Sequence, residues 1–199
     1  MSRKSNRQTG MRARIAATAA RIMAEDGIED FALAKRKAAR RLGAPEAQAL
    51  PGNDEIEAEL RSYRALYQAE EHPLRIAELR RMALDAMRAL QRFNPYLTGP
   101  VLKGIAGRYA EIELQLFPES AKDVELFLLD SNLAYTTHEC RRFSGDRAHA
   151  VSVLSLLWRG APLKLSVFDS GAIGDSGPGT NRAGIAEVGA LLRDGASQT

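Results

Sequence analysis

The chain has 199 residues, is 45% hydrophobic and carries a net charge of +3, which allows one or two small domains with packed cores. No apolar run approaches the length of a bilayer span, and Arg3, Lys4 and Arg7 at the N-terminus have no apolar segment behind them. That pattern speaks against a membrane or secreted protein and makes a cytoplasmic one the expectation. Cys140 is the single cysteine, which rules out an internal disulfide and a cysteine zinc site.

The charge is unevenly spread. Residues 1–42 hold eleven Lys/Arg against four Asp/Glu, while the rest of the chain holds 17 against 21. The basic end therefore predicts an anionic partner for the N-terminal segment.

Residues 1–10 are polar and basic without periodicity and read as a flexible tail. From Met11 to Glu25, Ile15, Ala19, Ile22 and Met23 recur at helical spacing, and Gly27 is placed to end that helix. Phe31 to Leu42 predicts a second helix, with Phe31, Leu33, Ala34, Ala38 and Leu42 inward; Gly43 and Pro45 stop it. A third helix follows Leu50-Pro51-Gly52, capped by Asn53 or Asp54 and carrying Ile56, Leu60, Tyr63, Leu66 and Tyr67 on its apolar face. His72 and Pro73 break it. The fourth helix, about Leu74 to Phe93, presents Leu79, Met82, Ala83, Ala86, Met87 and Leu90, and Tyr63, Tyr67 and Phe93 read as core.

After Asn94-Pro95 the period changes from helical to alternating. Glu111 to Phe117 predicts a strand, and Ser120 precedes a helix from Ala121 to about Leu129 with Val124, Phe127 and Leu128 inward. Ala134 to Arg142 predicts another strand, in which His138, Glu139 and Cys140 alternate between faces and so make a poor metal site. Ala150 to Trp158 and Leu163 to Phe168 flank Arg159-Gly160-Ala161-Pro162 as a hairpin. A loose Gly/Ser/Asp-rich segment, 170–180, precedes a short helix from Asn181 to Leu192. The expected class is α+β: a basic tail (1–10), a helical N-terminal domain (11–93), a small mixed-sheet domain (94–170) and a Gly/Ser-rich tail (171–199).

Tyr96 to Phe117 carries the most chemistry. A glycine turn at Gly99 to Gly104 leads into a strand whose Glu111 and Glu113, at i and i+2, share one face and can hold a divalent metal between them. The pattern resembles the nucleotidyltransferase superfamily, the fold of the polymerase beta palm. There a strand ends in Gly-Ser, a Gly-containing turn follows, and an Asp-x-Asp pair opens the next strand. Aligned without gaps, Gly99 is the first glycine, Gly104 the second, and Glu111 and Glu113 the acidic pair. Glutamates stand where the family has aspartates, and Pro100 stands in place of the serine.

The resemblance implies an Mg2+-dependent transfer of a nucleoside monophosphate from an NTP to a hydroxyl acceptor. Glu111 and Glu113 would be metal ligands, Asp169 the only acidic candidate for a third catalytic carboxylate, and Gly99, Lys103, Gly104 and Arg108 the nucleotide-binding residues. Retained catalysis and a site that has lost it both stay open. So does a second reading, in which the sheet domain serves dimerisation and the basic helix at Lys35, Arg36, Lys37, Arg40 and Arg41 binds nucleic acid. The first two helices resemble those of a TetR-type DNA-binding head, but Ala44 to Gly52 has little basic character where a recognition helix should follow.

Overall fold

A computed structural model describes residues 2–44, 49–144, 147–168 and 182–196. The protein is α+β, with seven helices and a five-stranded mixed sheet among these residues. It divides into two compact units, Met1–Pro73 with Ile105–Tyr109, and Leu74–Gly104 with Ala110–Thr199. The boundary thus falls after Pro73, placing most of the fourth helix with the sheet rather than with the N-terminal helices. Among the described residues no helix is long and apolar enough to cross a membrane.

The first unit is built on helices α1 (Ser2–Asp26), α2 (Phe31–Arg41) and α3 (Asn53–Tyr67), with α1 packed on the other two. Its core gathers Ile15, Ala19, Ile22, Met23, Ala34, Ala38, Ile56 and Leu60, joined by Ile105 from the inserted segment. Asp30 caps α2 by accepting hydrogen bonds from the Ala32 and Leu33 N–H groups. The cap of α3 is Gly52 rather than Asn53 or Asp54, and Glu55 reaches back to accept the Gly52 N–H at 2.6 Å.

Other expectations are corrected in this unit as well, among them Leu33, which is 38% exposed rather than inward. Residues 2–10 are helical, as part of α1. Leu66 and Tyr67 are 76% and 71% exposed, the apolar stripe of α3 having rotated off the core by its last turn. Tyr63 is half-buried and donates its hydroxyl to Glu25 at 2.7 Å.

The second unit begins with α4 (Glu71–Ala89), whose first two residues and Pro73 fall on the other side of the boundary. His72 and Pro73 open this helix instead of breaking one, since a proline in the first turn leaves no intrahelical N–H unused. A 3-10 turn at Gln91–Phe93 leads to β1 (Tyr96–Thr98), α5 (Gly99–Lys103), β2 (Ile112–Leu116), α6 (Ala121–Asp130), β3 (Tyr135–Ser144), β4 (Arg147–Trp158), β5 (Ala161–Val167) and α7 (Ile185–Ala196). The last helix therefore starts four residues later than its sequence pattern predicts, and the 169–181 segment lies outside the described residues.

The sheet order is β1-β2-β5-β4-β3. Only β2 and β5 are parallel; β1 to β2, β5 to β4 and β4 to β3 are antiparallel. The β4–β5 hairpin is where the sequence predicts it, but its turn is only Arg159 and Gly160, both at positive φ, and Ala161 and Pro162 belong to β5. Trp158 Nε1 donates to Asp85 Oδ2 at 2.9 Å, and Arg159 Nε lies 3.1 Å from the same oxygen, tying the hairpin end to α4. One sheet face is apolar and buried, with Leu97, Ile112, Leu114, Leu116, Leu154, Leu156, Leu163, Leu165 and Val167. The alternate residues form the other, more polar face.

Candidate functional site

Residues of that polar face stand in one row across all five strands. Thr98 pairs with Glu113, Glu113 with Lys164, Lys164 with Ser155, and Ser155 with Thr136. Because register partners on adjacent strands project to the same side, every member of the row shares a face. Glu113 and Lys164 are half-buried at its centre. Thr98 Oγ1 donates to the Glu113 carbonyl at 3.3 Å, fixing β1 against β2 beside the carboxylate.

The glycine segment meets this row at one point. Gly99 takes φ +71°, and a Cβ built there would lie 2.8 Å from Glu113 Cδ and 2.9 and 3.2 Å from its two carboxylate oxygens. The Glu113 carboxylate therefore rests on the bare Cα of Gly99. Only glycine meets both demands, the left-handed φ and the absent side chain. Two residues separated by fourteen positions are thus in contact at the end of β1 and on β2.

The turn itself is a single helical turn, α5, and not an open loop. Pro100 sits in its first turn, where a missing N–H costs no intrahelical bond. Gly104 closes it at φ +69°, its N–H turned back to the Pro100 and Val101 carbonyls. Arg80 of α4 completes the closure, donating from Nε to the Val101 carbonyl at 3.2 Å and from Nη2 to the Leu102 carbonyl at 2.8 Å. Burial holds the Arg80 pKa below its ordinary value. Sequence reading missed Arg80, and its only trace was a cation next to Leu79 on an otherwise apolar helix face.

The remaining predicted residues separate. Glu111 is exposed and immediately precedes β2, whose first residue is Ile112. Lys103 is the last residue of α5 and half-buried. Arg108 belongs to the other unit, in the Ile105–Tyr109 insertion, exposed and with its guanidinium 5.8 Å from the Tyr109 ring centroid. Asp169 lies outside the described residues. Among those that are described, no three His, Cys, Asp or Glu side chains gather as a metal site, and His138 and Glu139 are exposed neighbours on β3.

Whether Mg2+ fits can be judged from these donors. It is commonly held by one or two carboxylates together with water and substrate phosphates, and does not require an all-protein cage. Glu113, with the exposed Glu111 two residues before it, matches that description in donor type and number for one ion carried by a nucleotide. Among the described residues no further carboxylate pairs with Glu113 across the sheet, where the neighbour on β5 is Lys164.

The insertion from 105 to 109 is gripped within the first unit. Ile105 and Ala106 are buried, and Arg64, only 5% exposed, donates from Nη1 to the Ala106 carbonyl at 2.9 Å. His72 Nε2 is 3.0 Å from that same Nη1 and 3.1 Å from the same carbonyl. In sequence, Gly104 and this gripped segment separate α5 from Ala110 and Glu111.

The basic residues of α2 are also placed. Lys35 donates to Asn53 Oδ1 at 2.7 Å, and Lys37 lies 3.9 Å from Asp26, while Arg36, Arg40 and Arg41 are exposed. The helix that follows, α3, begins at Asn53 and carries Asp54 and Glu55 in its first turn. As the sequence of Ala44 to Gly52 indicates, no basic recognition helix of TetR type follows α2 among the described residues.

No family model, curated protein or solved structure matches this chain.

Proposed function

We propose that the sheet unit is a nucleotidyltransferase-like module that binds a nucleoside triphosphate with Mg2+ at Gly99, Glu111 and Glu113. The observation that carries this reading is the seating of the Glu113 carboxylate on Gly99. It joins the glycine segment to the acidic strand, the two parts that a triphosphate and its cation must touch together. In the finer arrangement, helices from the N-terminal half precede a small mixed sheet of nucleotidyltransferase type.

The chain's own residues divide the work. Arg80 holds α5 closed, Thr98 anchors β1 to β2, and Gly99 leaves room for the carboxylate. Glu113 and Glu111 would hold the cation, which when bound neutralises phosphate charge and polarises the phosphoryl centre. Lys103, at the end of α5, would face the phosphates. Transfer of the nucleoside monophosphate to a hydroxyl would further require a base, for which Asp169 is the acidic candidate.

Calorimetric titration with ATP, GTP, CTP and UTP in Mg2+ tests the reading. Heat of binding is expected with at least one nucleotide, and its loss in a Glu111→Ala/Glu113→Ala variant. Silence with all four would overturn it.

A second reading rests on the exposed Arg36, Arg40 and Arg41 of α2. It is contact with the backbone of a nucleic acid, without base readout. Three phosphate contacts predict that log K falls with log salt at a slope of about −2.7 for duplex DNA. Replacing the three arginines with alanine is expected to remove that slope; binding that ignores salt would refute this reading.

A further inference from the structure

Lys164 is a half-buried cation on the central strand β5, set in register with Glu113 of β2 and on the same sheet face. Adjacent strands lie about 4.8 Å apart, so the two side chains leave the sheet as immediate neighbours. On its other side Lys164 pairs with Ser155, and two residues further along β5 the same face presents Ser166. The position next to Glu113 from which a further carboxylate could reach a shared ion is thus occupied by a positive charge.

The consequence is electrostatic. Two carboxylates facing a triphosphate would repel it, and one divalent ion offsets only part of that charge. A second divalent ion would have to approach the Lys164 ammonium, and that like-charge repulsion is only weakly screened in a partly desolvated site. The ammonium itself can instead contact phosphate oxygens as a point charge.

We propose that Lys164 is a phosphate-binding residue of this site, and that the site accordingly takes its nucleotide with a single divalent ion. The inference rests on the nucleotide-binding reading above. It assigns to the fold a fixed cation where a second metal would otherwise be needed, and it makes triphosphate, rather than the base, the recognised group.

The full chain is titrated calorimetrically with Mg2+ and each of the four nucleoside triphosphates, and with Mg2+ and inorganic tripolyphosphate. Lys164→Met, which keeps the length of the apolar stem, is expected to weaken nucleotide and tripolyphosphate at least tenfold, and Lys164→Arg to restore most of the affinity. Thermal unfolding of both variants checks that the sheet persists. Mn2+ bound in the presence of saturating nucleotide, counted by electron paramagnetic resonance, is expected at one per chain. Unchanged affinity in a folded Lys164→Met variant overturns the inference, and so does a count of two Mn2+. If those outcomes occur while binding still depends on Glu111 and Glu113, the nucleotide reading stands and only the role of Lys164 falls. Absence of binding by the unaltered chain removes both.

Discussion

Gly99→Ala is expected to weaken nucleotide binding at least tenfold while lowering stability by only about 1–2 kcal/mol, the cost of an L-residue in left-handed backbone. The new Cβ would lie 2.8 Å from Glu113 Cδ, closer than such contacts allow. What yields is the end of a flexible glutamate, so the fold survives and the carboxylate moves. A misplacement of about 1 Å is enough to cost two orders of magnitude where geometry matters. Gly160→Ala supplies the comparison. Gly160 takes φ +87° in the β4–β5 turn, and a Cβ there meets nothing within 4 Å. It should show a similar loss of stability by denaturant unfolding and no change in nucleotide affinity. If Gly99→Ala bound nucleotide as tightly as the unaltered chain, the contact with Glu113 would have no part in the site.

Arg64→Ala should destabilise the helical unit by about 2–3 kcal/mol. The substitution removes a buried side chain and one of the donors to the buried Ala106 carbonyl. Its neighbour gives the grip a pH dependence. Burial first, and the Arg64 cation second, hold the His72 pKa below its ordinary 6.5. The neutral ring is therefore the form that fits the folded unit. Above pH 6.5 folded and unfolded chains both carry neutral His72, and its contribution to stability is fully present. As the pH falls below 6.5 the unfolded chain takes up the proton first, so stability declines until the folded His72 titrates as well. Chemical denaturation between pH 7.5 and 5 should show this decline in the unaltered chain and a flatter profile in His72→Gln, whose amide can still donate to Ala106. An identical slope in both would assign the acid sensitivity elsewhere.

What could be read from the sequence divides along physical lines. The β2 alternation, the β4–β5 hairpin and the α2 boundaries depend on local chemistry, and each lies within one or two residues of where period and turn residues put it. The order Gly99, Gly104, Glu111, Glu113 was likewise legible as a motif. The seating of Glu113 on Gly99 was not, because it depends on how β1 and β2 align. No sequence motif marks Lys164. Its place beside Glu113 follows from parallel pairing of β2 and β5, strands separated by α6, β3 and β4, and no local pattern encodes that register. The short helix at Gly99–Lys103 was hidden because its stability depends on Arg80, distant in sequence. The division after Pro73 was hidden too, since Ile105 joins the core of the helical unit from the middle of the other unit's sequence.

Glu113 and the glycine segment are proposed to form one site for a nucleotide and its magnesium ion. The most direct test is the affinity of the bound nucleoside triphosphate in Mg2+ and in EDTA, for the unaltered chain and for Glu113→Gln, which removes the charge and keeps the shape. The unaltered chain should bind at least tenfold more tightly with Mg2+, and Glu113→Gln should abolish that difference. A magnesium effect of equal size in both chains would contradict the claim.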